Sequence, residues 1–260
     1  ARGPANTMLG HAPVGLQAIG RAVDGLRLDL ADVFVAGGTG PGTSEGLVTL
    51  RHGNRMLAEA GLDPATAARP LDSGATGLVP GDGAGAVVLE TAENATGRGA
   101  TPIARVAAWR DLFVAPPTPR GGINASAVER LLRSLLADAG WEAAEVDYIA
   151  ASGIGLASVD AAEAAGIGAV FGAQLGETVV AVHTGVTGFC EGGHACLGLV
   201  GALQSMVDGM AAPQVNMSAP LAGLEGIARL TEATPRDVKK AVVLGTSPEG
   251  TLVGIAIEAL

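Results

Sequence analysis

The apolar positions along this chain alternate between helical and strand spacing. Four apolar residues, three or four apart between positions 14 and 26, share one face of a predicted helix. The short continuous apolar run at 33–36 is typical of a buried strand. This succession recurs, so the pattern predicts an α/β chain with a mostly buried sheet. The further elements predicted are helices at 125–139, 160–171 and 192–207, a turn at 94–97, and strands at 84–90, 103–108, 146–151, 178–182, 241–244 and 251–257.

Composition narrows the class of protein. The 260 residues are 48% apolar and 16% charged, which predicts a compact fold of one or two domains. Sixteen basic and 26 acidic residues give a net charge of −10, which argues against nucleic acid or an anionic membrane as a partner. Two cysteines cannot form a disulfide framework, and no leader opens the chain, so a cytoplasmic location is expected.

Two glycine-rich segments look at first like nucleotide-binding loops. Residues 81–85 read G-x-G-x-G instead of G-x-G-x-x-G, and they precede a predicted strand, so no helix N-terminus is available for an anion. Residues 37–42 lack the Lys-Ser/Thr pair of a phosphate loop. We therefore predict a turn with close backbone packing at 81–85 and exclude a phosphate loop at 37–42.

One stretch concentrates residues that could bind metal or act as a nucleophile: His183, Cys190, Glu191, His194 and Cys196. The two cysteines are six residues apart, and Cys196 lies within an apolar helix, so no metal site is expected. A thiol nucleophile would need an imidazole within hydrogen-bonding reach, and His194 and Cys196 point to different sides of a helix. Buried, inert cysteines are the favoured interpretation.

Isolated polar residues offer weaker candidates. His11 and His52 have no obvious partner, which favours ordinary loop or surface roles. Ser152 does not lie in a G-x-S-x-G elbow, so a hydrolase serine is disfavoured.

Four ordered segments carry a family pattern that covers nearly all of the chain. They are Gly3-Pro4 through 15–20 to Gly37-Gly38-Thr39; Arg69-Pro70-Leu71-Asp72 with 77–85; 146–151 with Asp160-Ala161-Ala162-Glu163-Ala164; and Val186-Thr187-Gly188 with a helix and Pro213-Gln214-Val215-Asn216. Taken jointly, they resemble the β-ketoacyl synthases of the thiolase fold. The resemblance implies an α/β, thiolase-like layered fold.

The departures from the family pattern fall on its catalytic positions. The family carries a Cys nucleophile at a helix N-terminus, where the helix dipole and backbone N–H groups activate the thiol, and this position falls on Ala12. Its two catalytic histidines fall on Ser152 and Phe189, and its lysine falls on Thr184. The Gly-Phe-Gly-Gly loop that gates the acyl pocket is reduced to Ser247-Pro248-Glu249-Gly250.

These departures imply a subunit without chemistry of its own. A methyl group at Ala12 cannot attack a thioester, and neither Ser152 nor Phe189 can supply the paired imidazole donors that stabilise an enolate. The chain resembles a chain-length factor of type II polyketide or polyene synthases, with no catalytic residue and no cofactor. The alternatives are an acyltransferase or hydrolase using Cys190 or Cys196, with His194 or His183 as the base, and an acyl-binding or scaffolding protein.

Length and pairing complete the expectations. Family members begin with a βαβ half before the nucleophile strand, so we expect one ketosynthase-like domain over 1–260 that lacks the first part of its N-terminal half. The nucleophile-helix half would cover about 1–110 and the C-terminal half about 111–260.

The expected partner is an active ketosynthase, with acyl carrier protein reached only through it. The strand at 5–9 would continue a sheet across the heterodimer, because an exposed strand edge is avoided in soluble proteins. The residues expected at the acyl pocket or the interface are Met8, Leu9, Phe189, Ser247 and Pro248.

Overall fold

The computed structural model describes residues 3–118 and 121–260. Its helices are α1 (Val14–Arg27), α2 (Glu45–Gly53), α3 (Pro64–Ala67), α4 (Ala92–Gly97), α5 (Ala125–Ala139), α6 (Ala157–Phe171), α7 (Thr184–Thr187) and α8 (His194–Asp208). Its strands are β1 (Val33–Pro41), β2 (Asp82–Glu90), β3 (Ala104–Phe113), β4 (Tyr148–Ala150), β5 (Val179–Ala181), β6 (Met210–Ala211), β7 (Thr234–Pro235), β8 (Lys240–Thr246) and β9 (Thr251–Ala259).

The predicted elements are confirmed with two local corrections. The turn predicted at 94–97 belongs to helix α4, because the Thr91 hydroxyl accepts the Asn94 N–H at 3.2 Å and caps a helical turn there. The turn predicted at 81–85 is largely the beginning of strand β2, which is paired with β1 from Asp82 onward. Helix α8 begins at His194, after a short 3₁₀ turn over Glu191–Gly193.

Two sheets organise the fold. The larger sheet has five strands in the order β3-β9-β8-β4-β5, with β4 parallel to β5 and β8, and with β8–β9 and β9–β3 antiparallel. The smaller sheet is the antiparallel pair β1–β2. The short pair β6–β7 stands apart from both. The prediction of an α/β chain is therefore confirmed.

Helices α1 and α8 lie between the two sheets. Leu16 and Ile19 of α1 share an apolar cluster with Leu199 of α8 and with residues of β8 and β9. On the other face of the large sheet, Leu131 of α5 and Ile167 of α6 pack in a second cluster with Val242 and Ala256. The layers therefore run small sheet, central helices, large sheet, outer helices.

The glycines of β1 and β2 allow this close layering. A Cβ atom at Gly38 would lie 2.1 Å from the carbonyl oxygen of Gly192, and one at Gly85 would lie 2.9 Å from Cβ of Cys196. No other residue could stand at these positions without moving the strand away from α8. The close backbone packing predicted at 81–85 is thus confirmed.

The same order of elements occurs twice. The second half has strand β5, helix α8 and the antiparallel pair β8–β9 in this order. The first half has residues 5–9, α1 and the antiparallel pair β1–β2, whose strands are separated in sequence by α2 and α3. In the large sheet, β8 also pairs with β4 and β9 also pairs with β3. Within residues 3–118 and 121–260, by contrast, β1 and β2 pair only with each other.

The predicted strand at 5–9 is wrong for the isolated chain. Residues 4–10 form no strand and are exposed, and Leu9 is 95% exposed. A strand needs a neighbour that accepts and donates its backbone hydrogen bonds, and none of the described segments provides one here. The approximate boundary predicted near 110 lies within β3, which pairs with β9 of the large sheet.

Candidate functional site

Three of the four positions predicted to be vestigial meet around a buried histidine. Nε2 of His194 lies 2.8 Å from the carbonyl oxygen of Ser152 and 3.5 Å from the hydroxyl of Thr184. The ring centroids of His194 and Phe189 are 5.2 Å apart. Ala12 belongs to the same apolar cluster as Phe189. The sequence-predicted positions therefore converge, although residues from distant parts of the chain supply them.

Ala12 lies immediately before helix α1 and is 1% exposed. Pro13 is the N-cap residue, and the Val14 N–H donates to the carbonyl of His11 at 2.9 Å. A helix N-terminus is a favourable place for an anion or a thiolate. The side chain that it directs into the cluster is a methyl group, so this helix terminus carries no nucleophile.

Ser152 opens a loop, residues 152–155, that two carboxylates hold in place. Glu163 accepts the N–H groups of Ser152 and Gly153 at 2.7 and 2.8 Å. Asp160, three residues earlier on α6, accepts those of Ile154 and Gly155 at 2.8 and 2.9 Å. Gly153 and Gly155 have φ of +41° and +82°, which L side chains adopt only with strain.

Burial raises the pKa of Asp160 to about 6 and that of Glu163 to about 7, against the lowering effect of the N–H donors. All four carboxylate oxygens already accept a backbone hydrogen bond, with Asp160 also binding the Leu71 N–H at 2.9 Å. These acids shape the loop and are not free to transfer protons.

The polar side chains of this cluster are hydrogen-bonded to the protein backbone. The Ser152 hydroxyl accepts the Thr246 N–H at 3.2 Å. The Thr184 hydroxyl donates to the carbonyl oxygens of Gly153 and, at 3.2 Å, Ser152. Burial lowers the pKa of His194 to about 4, so its imidazole is neutral and is committed to a carbonyl. His194 supplies the one imidazole of this cluster, whereas the family pattern has two. The sequence analysis did not assign His194 to this site.

The two cysteines are buried, as predicted. The Cys190 thiol donates to the Thr187 carbonyl at 3.4 Å, and burial raises its pKa. Burial raises the pKa of Cys196 to about 11. In the described part of the chain neither thiol is hydrogen-bonded to an imidazole, and desolvation lowers the pKa of the half-buried His183. This geometry lacks the base that a thiol nucleophile needs.

A buried ion cluster that sequence reasoning missed lies against the site. Arg51 of α2 is 4% exposed and donates to both Glu191 oxygens, from Nε at 3.2 Å and from Nη2 at 3.0 Å. Its Nη1 donates to Glu249 at 2.8 Å, and its guanidinium carbon lies 5.7 Å from the Phe189 ring centroid. Nδ1 of His11 lies 3.4 Å from Glu249, so His11 has a partner after all. In the sequence, this cluster was indicated only by Glu249, a charged residue at a glycine position of the family's gating loop.

The remaining predicted residues divide into two groups. Ser247 and Pro248 are buried beside the site, where the Ser247 hydroxyl accepts the Thr251 N–H at 3.3 Å. Met8 and Leu9 lie on the exposed segment 4–10, and Met8 is 37% exposed. The structure does not bring these two residues to the buried cluster.

Comparison with protein families matches two models. The beta-ketoacyl synthase N-terminal domain matches residues 1–95, and the beta-ketoacyl synthase C-terminal domain matches residues 120–218. The chain is 33% identical over 223 residues to nodulation protein E of Rhizobium leguminosarum bv. trifolii, covering 84% of this chain and 53% of that protein. It is also 33% identical over 219 residues to the actinorhodin polyketide beta-ketoacyl synthase 2 of Streptomyces coelicolor, covering 84% and 52%.

Solved structures agree on the fold. A type II polyketide synthase acyl-carrier protein in complex with its ketosynthase gives a TM-score of 0.91 at 21% identity, covering 99% of this chain and 64% of that one. The ishigamide ketosynthase/chain length factor gives 0.85 at 22% identity, covering 98% and 61%. The fold is thus the thiolase-like ketosynthase fold. The chain spans about half the length of the curated relatives that it matches. Among the helices that the structure describes, none combines the length and apolar character needed to cross a bilayer.

Proposed function

We propose a non-catalytic role for this chain, which belongs to the β-ketoacyl synthase family. It acts as a ketosynthase-like chain-length factor that pairs with an active ketosynthase and helps to shape the tunnel for the growing acyl chain. The observation that carries the proposal is the buried methyl group of Ala12 at the start of α1, where the family has its thiol. Condensation, in which decarboxylation of malonyl-carrier protein forms the enolate, then belongs to the partner.

The rest of the site supports a silent subunit. An enolate requires donors directed at its developing oxyanion. The hydroxyl of Thr184 and Nε2 of His194 are both directed at backbone carbonyls, and the Ser152 hydroxyl is occupied by the Thr246 N–H. These contacts direct Thr184 and His194 at the protein's own backbone, which supports a structural role for the network.

Pairing is supported by the unpaired segment 4–10 and by charge. An exposed, extended segment can add to the sheet of a second chain through its backbone. The net charge of −10 disfavours docking of an acidic carrier protein on this chain, which leaves that role to the partner. One of the structurally similar proteins is the ishigamide ketosynthase/chain length factor. Two unpaired cysteines fit a reducing, cytoplasmic setting.

Coexpression with an active ketosynthase tests the pairing. We expect a one-to-one complex by native mass spectrometry, while the chain alone should self-associate. Substitution of Leu9, which is 95% exposed, by Asp should prevent assembly, whereas Asp63→Ala on the distant helix α3 should not. A stable, monodisperse monomer that ignores the ketosynthase would contradict the proposal.

Product length tests the tunnel role. Met8→Trp and Met8→Ala, each assembled with the active partner, should shift products to shorter and longer chains respectively, because bulk in a tunnel wall excludes about one methylene per carbon added. The rate per complex should change less than the distribution. If both variants assemble and a scan of residues 5–9 leaves the distribution unchanged, scaffolding replaces chain-length control.

A further inference from the structure

We propose that the ion cluster of Arg51, Glu191 and Glu249, hereafter the Arg51 latch, holds the loop at 247–250 closed over the ketosynthase-like site and excludes acyl chains from it. The inference rests on the proposed function, in which this site performs no chemistry. It assigns a positioning role to Arg51: the site lacks a nucleophile, and in addition it is closed to acyl chains.

The latch joins three separate parts of the fold. Arg51 comes from α2, Glu191 from the turn before α8, and Glu249 from the turn between β8 and β9. The Arg51–Glu191 contact is bidentate, at 3.2 and 3.0 Å, and the contact with Glu249 is 2.8 Å. Because the guanidinium is almost fully buried, water screens these charges little, and removal of one partner leaves a costly unpaired charge. The latch therefore fixes the three segments relative to one another.

The loop itself is held from further sides. The Pro248 carbonyl accepts the Gly122 N–H at 2.7 Å, and the Gly250 carbonyl accepts the Val114 N–H at 2.9 Å. Loops that gate a site must exchange such contacts when they open. The ion pair from Glu249 to Arg51 adds a charged contact at the tip of this turn.

The latch also contacts residues of the buried cluster and the residue next to Ala12. The Arg51 guanidinium packs over Phe189, and its Nη1 lies 3.4 Å from the sulfur of Met56. On the other side Glu249 contacts His11, the residue next to Ala12. An acyl chain directed at Ala12 would have to displace both charged partners.

A thiol placed at Ala12 would report whether the site opens. We would label an Ala12→Cys variant with a long-chain N-alkylmaleimide and follow residue 12 by peptide mass spectrometry, which separates it from Cys190 and Cys196. Labelling should be slow in Ala12→Cys alone. It should become at least tenfold faster when Arg51→Met is added, and also faster with Glu249→Gly, which restores the glycine of the family pattern.

The matched control is Arg110→Met, which breaks the exposed Arg110–Asp138 pair and should leave the labelling rate unchanged. Thermal unfolding would show whether each variant is folded. If Arg51→Met does not fold, the Glu249→Gly variant still tests the latch. Fast labelling of Ala12→Cys alone, or equal rates with an intact and a broken latch in folded protein, would overturn the latch. Labelling rates of these variants do not report on catalysis by the wild-type chain, so the proposed silent role is judged separately by its turnover.

Discussion

The two halves of the molecule repeat one order of elements but differ in how completely they are covered. In the second half Val243 of β8 is fully buried, because the five-stranded sheet has helices on both faces. In the first half Val35 of β1 and Val88 of β2 are 75% and 60% exposed. The same order of elements therefore gives a fully covered core in the second half and an exposed apolar face in the first.

The open half also presents a cavity along β2. It has a volume of about 750 Å³ and is lined mainly by apolar side chains of α1, β2 and α8. Contiguous apolar surface and free strand edges are features that proteins normally cover with further polypeptide. We expect the stability of the lone chain to come mainly from its second half, while the first half depends on its cover. The following experiments test this difference, beginning with the largest effect.

The largest loss is expected from Glu163→Leu in the completed half. The substitution leaves the buried N–H groups of Ser152 and Gly153 without an acceptor, which should lower the free energy of unfolding by about 3–5 kcal/mol. Urea denaturation measures this change. The control is Glu93→Ala on the exposed surface of α4, which should change stability by less than about 0.5 kcal/mol. Equal effects of the two substitutions would contradict the assignment of Glu163 to the loop.

A matched pair of valines sharpens the comparison. Val243→Ala should destabilise the lone chain by about 2 kcal/mol, because it removes fully buried methyl groups. Val35→Ala, the same chemical change in the corresponding hairpin, should cost less than about 0.5 kcal/mol in the lone chain. In a complex that covers β1 the Val35 effect should increase. If the two substitutions cost the same in the lone chain, the halves are equally complete.

The smallest effect concerns pH and His194, which lies where the two halves meet. The pKa of His194 in the folded chain is about 4, below its ordinary value of 6.5. Between these two values the imidazole binds a proton in the unfolded chain but not in the folded one. Its contribution to stability is present above about pH 6.5 and decreases as the pH falls towards about 4. Between about pH 6 and pH 5 the wild type should lose about 1 kcal/mol relative to His194→Phe. Parallel pH profiles of the two proteins would contradict this.

Periodicity predicted the helices and strands because burial of one face imposes it. Helix α5 matched its prediction at both ends, since its apolar residues repeat at helical spacing and Gly140 ends it in a left-handed conformation. The family pattern likewise placed Ala12, Ser152, Thr184 and Phe189 together, because each sits in a motif that fixes its position.

The Arg51 latch could not be predicted in this way. Arg51, Glu191 and Glu249 are separated by up to 198 residues, and the unusual position of Glu249 in the gating loop does not identify its partners. Their contact depends on how α2 packs against the turns of the second half, which local spacing does not encode. The unpaired state of residues 5–9 was missed for a similar reason, because a strand requires a neighbour that one segment cannot specify.

Turnover of malonyl-carrier protein tests the central claim most directly. Carbon dioxide release should be measured for the purified chain, and for its complex with a ketosynthase whose nucleophilic cysteine and catalytic histidines are substituted. We predict no release above the uncatalysed rate in either sample, because Ala12, Ser152 and Phe189 supply neither a nucleophile nor enolate donors. Substantial release by either sample would show that this chain is catalytic and would contradict the account.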